Sequence, residues 1–285
     1  MSSYKPLDSR QVINRAALSN IGSPAGDNLA DILSLINAAL SGITGSAGYV
    51  AKQVSLTSGL GTTSYTATIS SQPDISYVVF AMFENLVDPN PQFQMAEVTS
   101  KTTTGFVVEW NSPLDTNNYI ISYIIVPKPF VEGETSFGNA STSSTTTYTF
   151  SQESGFGVVT GMQNIVDSNP QFQTVVITAS STTAETTSVN VPTSSVNYIQ
   201  PYFIGANSQA IVGNGALTAT ATLPINYGTT GYGVIATMQN LTDANPQFQP
   251  IVITGKTDTT VTFSWNVDTL SGNYAINCYT VSLTA

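Results

Sequence analysis

The sequence predicts a mostly β protein: a short N-terminal helix followed by three tandem small antiparallel β-sandwich domains. Three observations carry that expectation. One heptapeptide recurs three times at near-constant spacing, apolar residues alternate with period two inside each copy, and turn-forming clusters separate the alternating runs.

Residues 1–25 hold Arg10, Arg15 and single apolar residues with no sustained period, and read as a peptide that orders on docking to something else. Residues 26–48 read as a short helix and linker. Asp27 or Asn28 is suited to cap it, and Gly42 closes it. Leu29, Ile32, Leu33, Ile36 and Leu40 form a narrow apolar seam about two heptads long, too short to be stable alone in water. Such a seam needs partners, and Ile at two of these positions is compatible with a three-stranded assembly.

The repeat begins after it. Asp88-Pro-Asn-Pro-Gln-Phe93-Gln94 returns as Asp167-Ser-Asn-Pro-Gln-Phe172-Gln173 and as Asp243-Ala-Asn-Pro-Gln-Phe248-Gln249, at spacings of 167 − 88 = 79 and 243 − 167 = 76 residues. Upstream, Val79 to Val87 matches Val158 to Val166 and Val234 to Thr242; downstream, Tyr119, Tyr198 and Tyr274 each stand 31 residues past the anchoring Asp. Constant spacing over that distance implies one fold used three times, with units at 49–130, 131–208 and 209–285. In the first copy Phe106, Val108 and Trp110 alternate with Val107, Glu109 and Asn111, and in the third Val261, Phe263 and Trp265 do the same, so one face of this strand is buried. Tyr77 to Met82 and Tyr119 to Val126 are richer in β-branched and aromatic residues and read as central strands covered on both sides. With the turn clusters Pro89-Asn-Pro91, Thr102 to Gly105 and Pro113 to Asn118 between them, each unit fits a sandwich of about six strands.

Composition narrows the chemistry. The 285 residues include no His and one Cys, so His-based triads, His-ligated zinc, CxxC pairs and disulfide frameworks are outside this chain's reach. Seven Lys+Arg against 17 Asp+Glu, a net charge of -10, argue against nucleic acid and anionic lipid as partners. No run of about 18 apolar residues marks a membrane span, and no secretion signal opens the chain. A hydrophobic fraction of 41% supports packed cores, with Thr, Ser, Asn and Gln supplying the polarity that the 8% of charged residues cannot.

Two resemblances follow from these residues. Asn85-Leu-Val-Asp88, Thr103-Thr-Gly105-Phe106-Val-Val-Glu-Trp110 and Tyr119 to Val126 resemble the H-type lectin fold; repeat three keeps part of it in Thr259 to Trp265, and repeat two departs, with no aromatic in Thr186 to Val191. The layout of docking peptide, short oligomerising helix and charge-poor β modules is similar to a bacteriophage fibre or spike protein. Both families commonly assemble as trimers. The resemblances imply a virion protein, made in the host cytoplasm, homotrimeric, tied to other virion proteins through residues 1–25 and projecting its modules toward a host surface polysaccharide. The alternative they leave is a purely structural collar, head-fibre or adaptor protein with no ligand of its own.

Candidate site residues come in pairs of readings. Asp88 and Asn90, Asp167 and Asn169, and Asp243 and Asn245 form either a ligand or Ca²⁺ loop or an Asx-type turn, with Phe93, Phe172 and Phe248 plugging the core behind it. One carboxylate per loop is too few for tight Ca²⁺ binding, so no metal or cofactor is expected. Tyr65, Tyr148, Tyr227 and Tyr232 lie in polar, Gly/Thr-rich surroundings and could stack on sugar rings. Trp110, Trp265 and Cys278 read as core. No enzyme is expected: Glu84 gives way to Gln163 and Gln239, Glu97 to Val176 and Val252, and no acidic pair of the kind a glycosidase needs recurs between copies.

Overall fold

The computed structural model describes residues 50–126, 132–148, 157–206 and 208–283, all within one compact unit, Tyr49–Ala285. The expected docking peptide 1–25 and the expected helix, with Leu29, Ile32, Leu33, Ile36 and Leu40, lie outside the described residues.

Each repeat contributes six strands among the described residues. The first holds β1 (Val50–Ser55), β2 (Ser64–Thr68), β3 (Val78–Glu84), β4 (Ala96–Thr102), β5 (Gly105–Trp110) and β6 (Ile120–Val126). The second holds β7 (Glu132–Ser136), β8 (Ser143–Thr147), β9 (Gly157–Thr160), β10 (Val175–Ser181), β11 (Ala184–Val189) and β12 (Ile199–Ala206). The third holds β13 (Ser208–Val212), β14 (Thr218–Thr222), β15 (Tyr232–Asn240), β16 (Val252–Lys256), β17 (Thr260–Ser264) and β18 (Tyr274–Ser282). Within a repeat the strands pair antiparallel as two three-stranded layers, β1-β6-β3 and β2-β5-β4 in the first and their counterparts in the others. The alternation read from the sequence is the cause: Phe106, Val108 and Trp110 turn one face of β5 onto Phe83, Tyr119, Ile121 and Tyr123 of the facing layer. Phe83 meets Trp110 edge-on at 5.2 Å, and Phe106 meets Tyr123 edge-on at 5.0 Å, a preferred geometry for ring quadrupoles.

The layers do not stop at the repeat. The third strand of one copy pairs in parallel with the fourth strand of another: β3 with β16 at Glu84 and Ile253, and β15 with β10 at Met238–Val176 and Gln239–Ile177. A parallel bridge between Gln163, just past β9, and Val98 of β4 makes the third junction. Glu84, Gln163 and Gln239 each precede an anchoring Asp by the same interval, and Val98, Ile177 and Ile253 each follow one by the same interval. Repeat one therefore joins repeat three, three joins two, and two joins one, closing a pseudo-threefold ring inside a single chain. Two of the junctions produce six-stranded sheets, and the third leaves its two halves as separate three-stranded sheets.

The ring explains why the third and sixth strands are apolar on both faces. One face covers the repeat's own core; the other meets its equivalents on the ring axis, where Phe80, Val159 and Ile235 form one cluster with Ile124 and Phe203. The fourth strands also serve two cores. Ile253 packs in the third repeat's cluster while its neighbour Val252 packs in the first repeat's, and Val176 of the second repeat packs in the third's. The copies are thus interlocked rather than independent modules in tandem.

The second repeat has the weakest apolar interior. Glu185, Thr187 and Gln200 stand where the first repeat has Phe106, Val108 and Ile121, and its apolar residues separate into two small clusters.

Candidate functional site

The heptapeptide forms the connection between the third and fourth strands of every repeat, and its Asp is a fastening point. Asp88 accepts from Asn85 Nδ2 at 2.7 Å, Thr116 Oγ1 at 2.8 Å and Asn118 Nδ2 at 2.6 Å. Asp167 accepts likewise from Asn164 at 2.7 Å, Ser195 at 2.5 Å and Asn197 at 2.6 Å. Asp243 accepts from Ser271 at 2.5 Å and Asn273 at 2.6 Å, while Asn240 donates to its carbonyl oxygen at 2.7 Å. Each Asp also donates its own N–H to the preceding Asn Oδ1, at 2.9, 3.0 and 2.9 Å. Donation from Asn85, Thr116 and Asn118 holds Asp88 below the usual carboxylate range; Ser195, Asn164 and Asn197 do so for Asp167, and Ser271 and Asn273 for Asp243.

This geometry is that of the turn reading: both carboxylate oxygens are spent inside the fold, stapling the heptapeptide to the loop before the sixth strand. No group of three acidic or thiol residues able to hold a metal occurs among the described residues. Asn90, Asn169 and Asn245 are exposed, and so are Val87 and Val166 at equivalent positions earlier in the loop; the third copy has Thr242 there, preceded by exposed Leu241. All three Phe residues are half-buried, and Phe93 and Phe248 pack against the first and third cores.

Sequence reasoning missed a second residue that holds this corner. The Gln that follows Asn-Pro donates its N–H to the hydroxyl of the distant Tyr, Gln92 to Tyr119 at 2.5 Å, Gln171 to Tyr198 at 2.5 Å and Gln247 to Tyr274 at 2.7 Å. Its side-chain oxygen accepts from Asp115, Ser194 or Leu270 N–H at 3.0, 2.9 and 2.7 Å. The signal was in the sequence: Gln and Tyr recur in all three copies at one separation.

The four tyrosines expected to stack on sugars divide. Tyr148 is buried in the second repeat beside Tyr202, and Tyr232 is wholly buried, its hydroxyl donating to the carbonyl oxygens of Thr257 and Thr260 at 3.0 and 2.8 Å. Neither offers a ring face, which corrects the expectation: the flanking Gly and Thr that suggested exposure belong to strand alternation instead. Tyr227 is half-buried, stacked on Tyr232 at 4.5 Å with its hydroxyl on Thr280 Oγ1, and Tyr65 is half-buried against the first core. Trp110, Trp265 and Cys278 are buried, and burial pushes the Cys278 thiol up to about 12.

A second feature lies on the ring axis. A pit of about 110 Å³ is lined by equivalent stretches of all three copies: Ala81 to Phe83, Thr160 to Met162 and Ala236 to Met238 from the third strands and their continuations, and Gln94 to Ala96, Gln173 to Val175 and Gln249 to Ile251 from the approach to the fourth. Two buried glutamates have lost their ordinary acidity. Burial raises Glu97 to about 9, with Glu109 and Asp167 adding to it, and burial raises Glu185 to about 8 although Gln200 Nε2 donates to it at 3.0 Å. Glu84 pairs with Lys256 at 3.3 Å, both side chains fully buried, and accepts from Gln53 Nε2 at 2.8 Å. Glu84 is thus an ion-pair partner and Glu97 a neutral acid.

Compared with protein-family models, curated proteins and solved structures, the chain matches none.

Proposed function

We propose that this chain is a structural virion protein of the fibre or spike kind, with H-type-lectin-like β-sandwich repeats that attach to a host-surface glycan. The observation that carries the reading is the threefold display of one corner. Each repeat presents an exposed Asn, Asn90, Asn169 or Asn245, on a loop that also exposes an aliphatic side chain, Val87 in the first copy, Val166 in the second and, one position earlier than their equivalent, Leu241 in the third, and every copy staples the loop with Asn-to-Asp and Gln bonds. A sugar has an apolar C–H face and a rim of hydroxyls, which an aliphatic side chain and an amide complement. Weak contacts repeated on one rigid object raise overall avidity by about 10² to 10⁴ when they engage together.

The trimer belongs to the same proposal. Leu29, Ile32, Leu33, Ile36 and Leu40 supply its apolar seam, and residues 1–25 anchor it in the particle. Adsorption of the full-length chain to host cells and to a glycan array is the test, with the triple variant Asn90→Ala, Asn169→Ala, Asn245→Ala as the comparison. Loss of adsorption in a folded variant supports attachment at these corners; clean absence of binding by the assembled wild type overturns it. One observation favours the second reading, a collar, head-fibre or adaptor element without a ligand: the carboxylates that a ligand loop would offer are consumed inside the fold. Incorporation into particles without adsorption is the outcome expected of that role.

A further inference from the structure

The axial pit continues inward. Met82, Ala96, Gly161 and Met162 line both the pit and a smaller, more closed cavity of about 40 Å³ behind it, and the inner cavity is also lined by Glu97. Glu97 is 2% exposed, and neither carboxyl oxygen has a hydrogen-bond partner. Buried polar groups are nearly always paired, so an acid with two idle oxygens beside a void calls for a partner outside the protein. Packing does not require the carboxyl, since the equivalent positions hold fully buried Val176 and Val252. The charged groups facing it are Glu109, its cross-strand neighbour on β5, and Asp167 of the second repeat, both negative. Lys101, on the same strand, is directed to the Tyr77 carbonyl oxygen at 3.0 Å.

The walls select the partner. Val79, Phe80, Val159 and Ile235 surround the inner cavity, so a bare metal ion would shed its hydration shell with one carboxylate to replace it. A primary ammonium on an alkyl stem fits both ends: the stem covers apolar wall, and the nitrogen brings three donors to two idle oxygens. We propose that the pit and the cavity behind it form a socket for a primary alkylammonium group, its stem against Met82, Met162 and Phe80 and its nitrogen on the Glu97 carboxylate. Gly161 keeps the passage open where the other copies carry Met82 and Thr237. A Cβ there would rest at 3.7 Å from Pro201 and 3.9 Å from Phe80, so Ala fits and a Met side chain fills the space. Near neutral pH the neutral Glu97 passes its proton to solvent as the cation enters, one proton per amine bound. The socket is separate from the proposed glycan corners, and either can fail without the other.

Titration calorimetry of the full chain with n-butylammonium near pH 7, in two buffers of different ionisation enthalpy, tests it, with n-butanol as the neutral probe of similar size. The expected result is saturable binding with release of about one proton, binding weakened at least about tenfold in Glu97→Gln and Glu97→Val, retained in Gly161→Ala and lost in Gly161→Met. No binding to the folded wild type, equal binding by Glu97→Gln and Glu97→Val, or equal binding of n-butanol overturns the proposal. Two further probes separate the sources of the amine. Binding of Nα-acetyl-lysine methylamide at least as tight as n-butylammonium assigns the socket to a lysine of a partner protein; binding of n-butylammonium and putrescine without the lysine amide assigns it to a free amine.

Discussion

Ala140 shows how one residue is held by the repeat against its own preference. The turn between the first and second strands requires a left-handed residue, which the first and third copies supply as Gly61 at φ 77° and Gly215 at φ 68°; in the second copy Ala140 takes it at φ 56°. An L-residue pays roughly 1–2 kcal/mol there, so Ala140→Gly is expected to raise stability by about 1 kcal/mol, read as a higher urea midpoint at unchanged slope. The carboxyl groups set the pH response. Asp88, Asp167 and Asp243 are lowered in the folded state, so their contribution is complete above the ordinary Asp value and is lost as pH falls through the folded values. Glu97 and Glu185 are raised to about 9 and about 8, so the unfolded chain gives up their protons near the ordinary Glu value while the fold still holds them. Stability then falls with rising pH from about 4.5 to those values, by up to about 1.4 kcal/mol per pH unit for each group. Thermal melts across the range are expected to peak near pH 5, and Glu97→Val is expected to raise Tm at pH 8 and flatten the decline toward it. Of this the sequence showed the three Asp turns as one of two readings and the oddity that Glu97 aligns with two valines; the shifted acidities were not legible, because burial is a property of neighbours that the chain brings together later.

At the scale of the element, strands were readable and their partners were not. Alternation places Phe106, Val108 and Trp110 on one face whatever they pack against, and the structure puts all three in a core. Trp110→Ala is expected to cost about 3–5 kcal/mol by denaturant unfolding, since Phe83 and the indole bond to the Thr62 carbonyl oxygen are lost together. The fourth strands bury consecutive residues instead, Glu97 and Val98, Val176 and Ile177, and Val252 and Ile253, and that second buried face comes from the ring. Lys256, on β16, reaches Glu84 of the first repeat at 3.3 Å and stands 4.2 Å from the Tyr232 ring of its own repeat. Lys256→Met leaves the Glu84 carboxylate buried without its cation, and a loss of about 3–5 kcal/mol is expected; adding Glu84→Gln should restore most of it. A cycle of the two single variants and the double variant checks this, and additive losses would show that the pair is not coupled.

The whole molecule is where the ring changes the expectation. Three copies in tandem could fold one by one, but here two of the third strands, β3 and β15, extend their sheets with a fourth strand from another copy, a single bridge joins the remaining pair of repeats, and Val252 and Val176 fill cores that are not their own. Residues 209–285 expressed alone are therefore expected to be unfolded by circular dichroism, whereas residues 49–285 should melt in one cooperative transition. In light scattering, residues 49–285 are expected to be monomeric and the full-length chain trimeric; a full-length monomer would remove the trimer from the proposed function. By itself the sequence determined the threefold repetition, the strands, the buried faces and the turn-forming anchors, because these are set by period and spacing along one chain. The tertiary structure alone decided that the copies close into a ring, that Tyr148 and Tyr232 turn inward, and that Glu97 faces a void on the axis. The physical reason is that pairing between parallel strands from distant repeats depends on which edges each unit leaves free once it has folded, and period and spacing along one strand do not specify its partner.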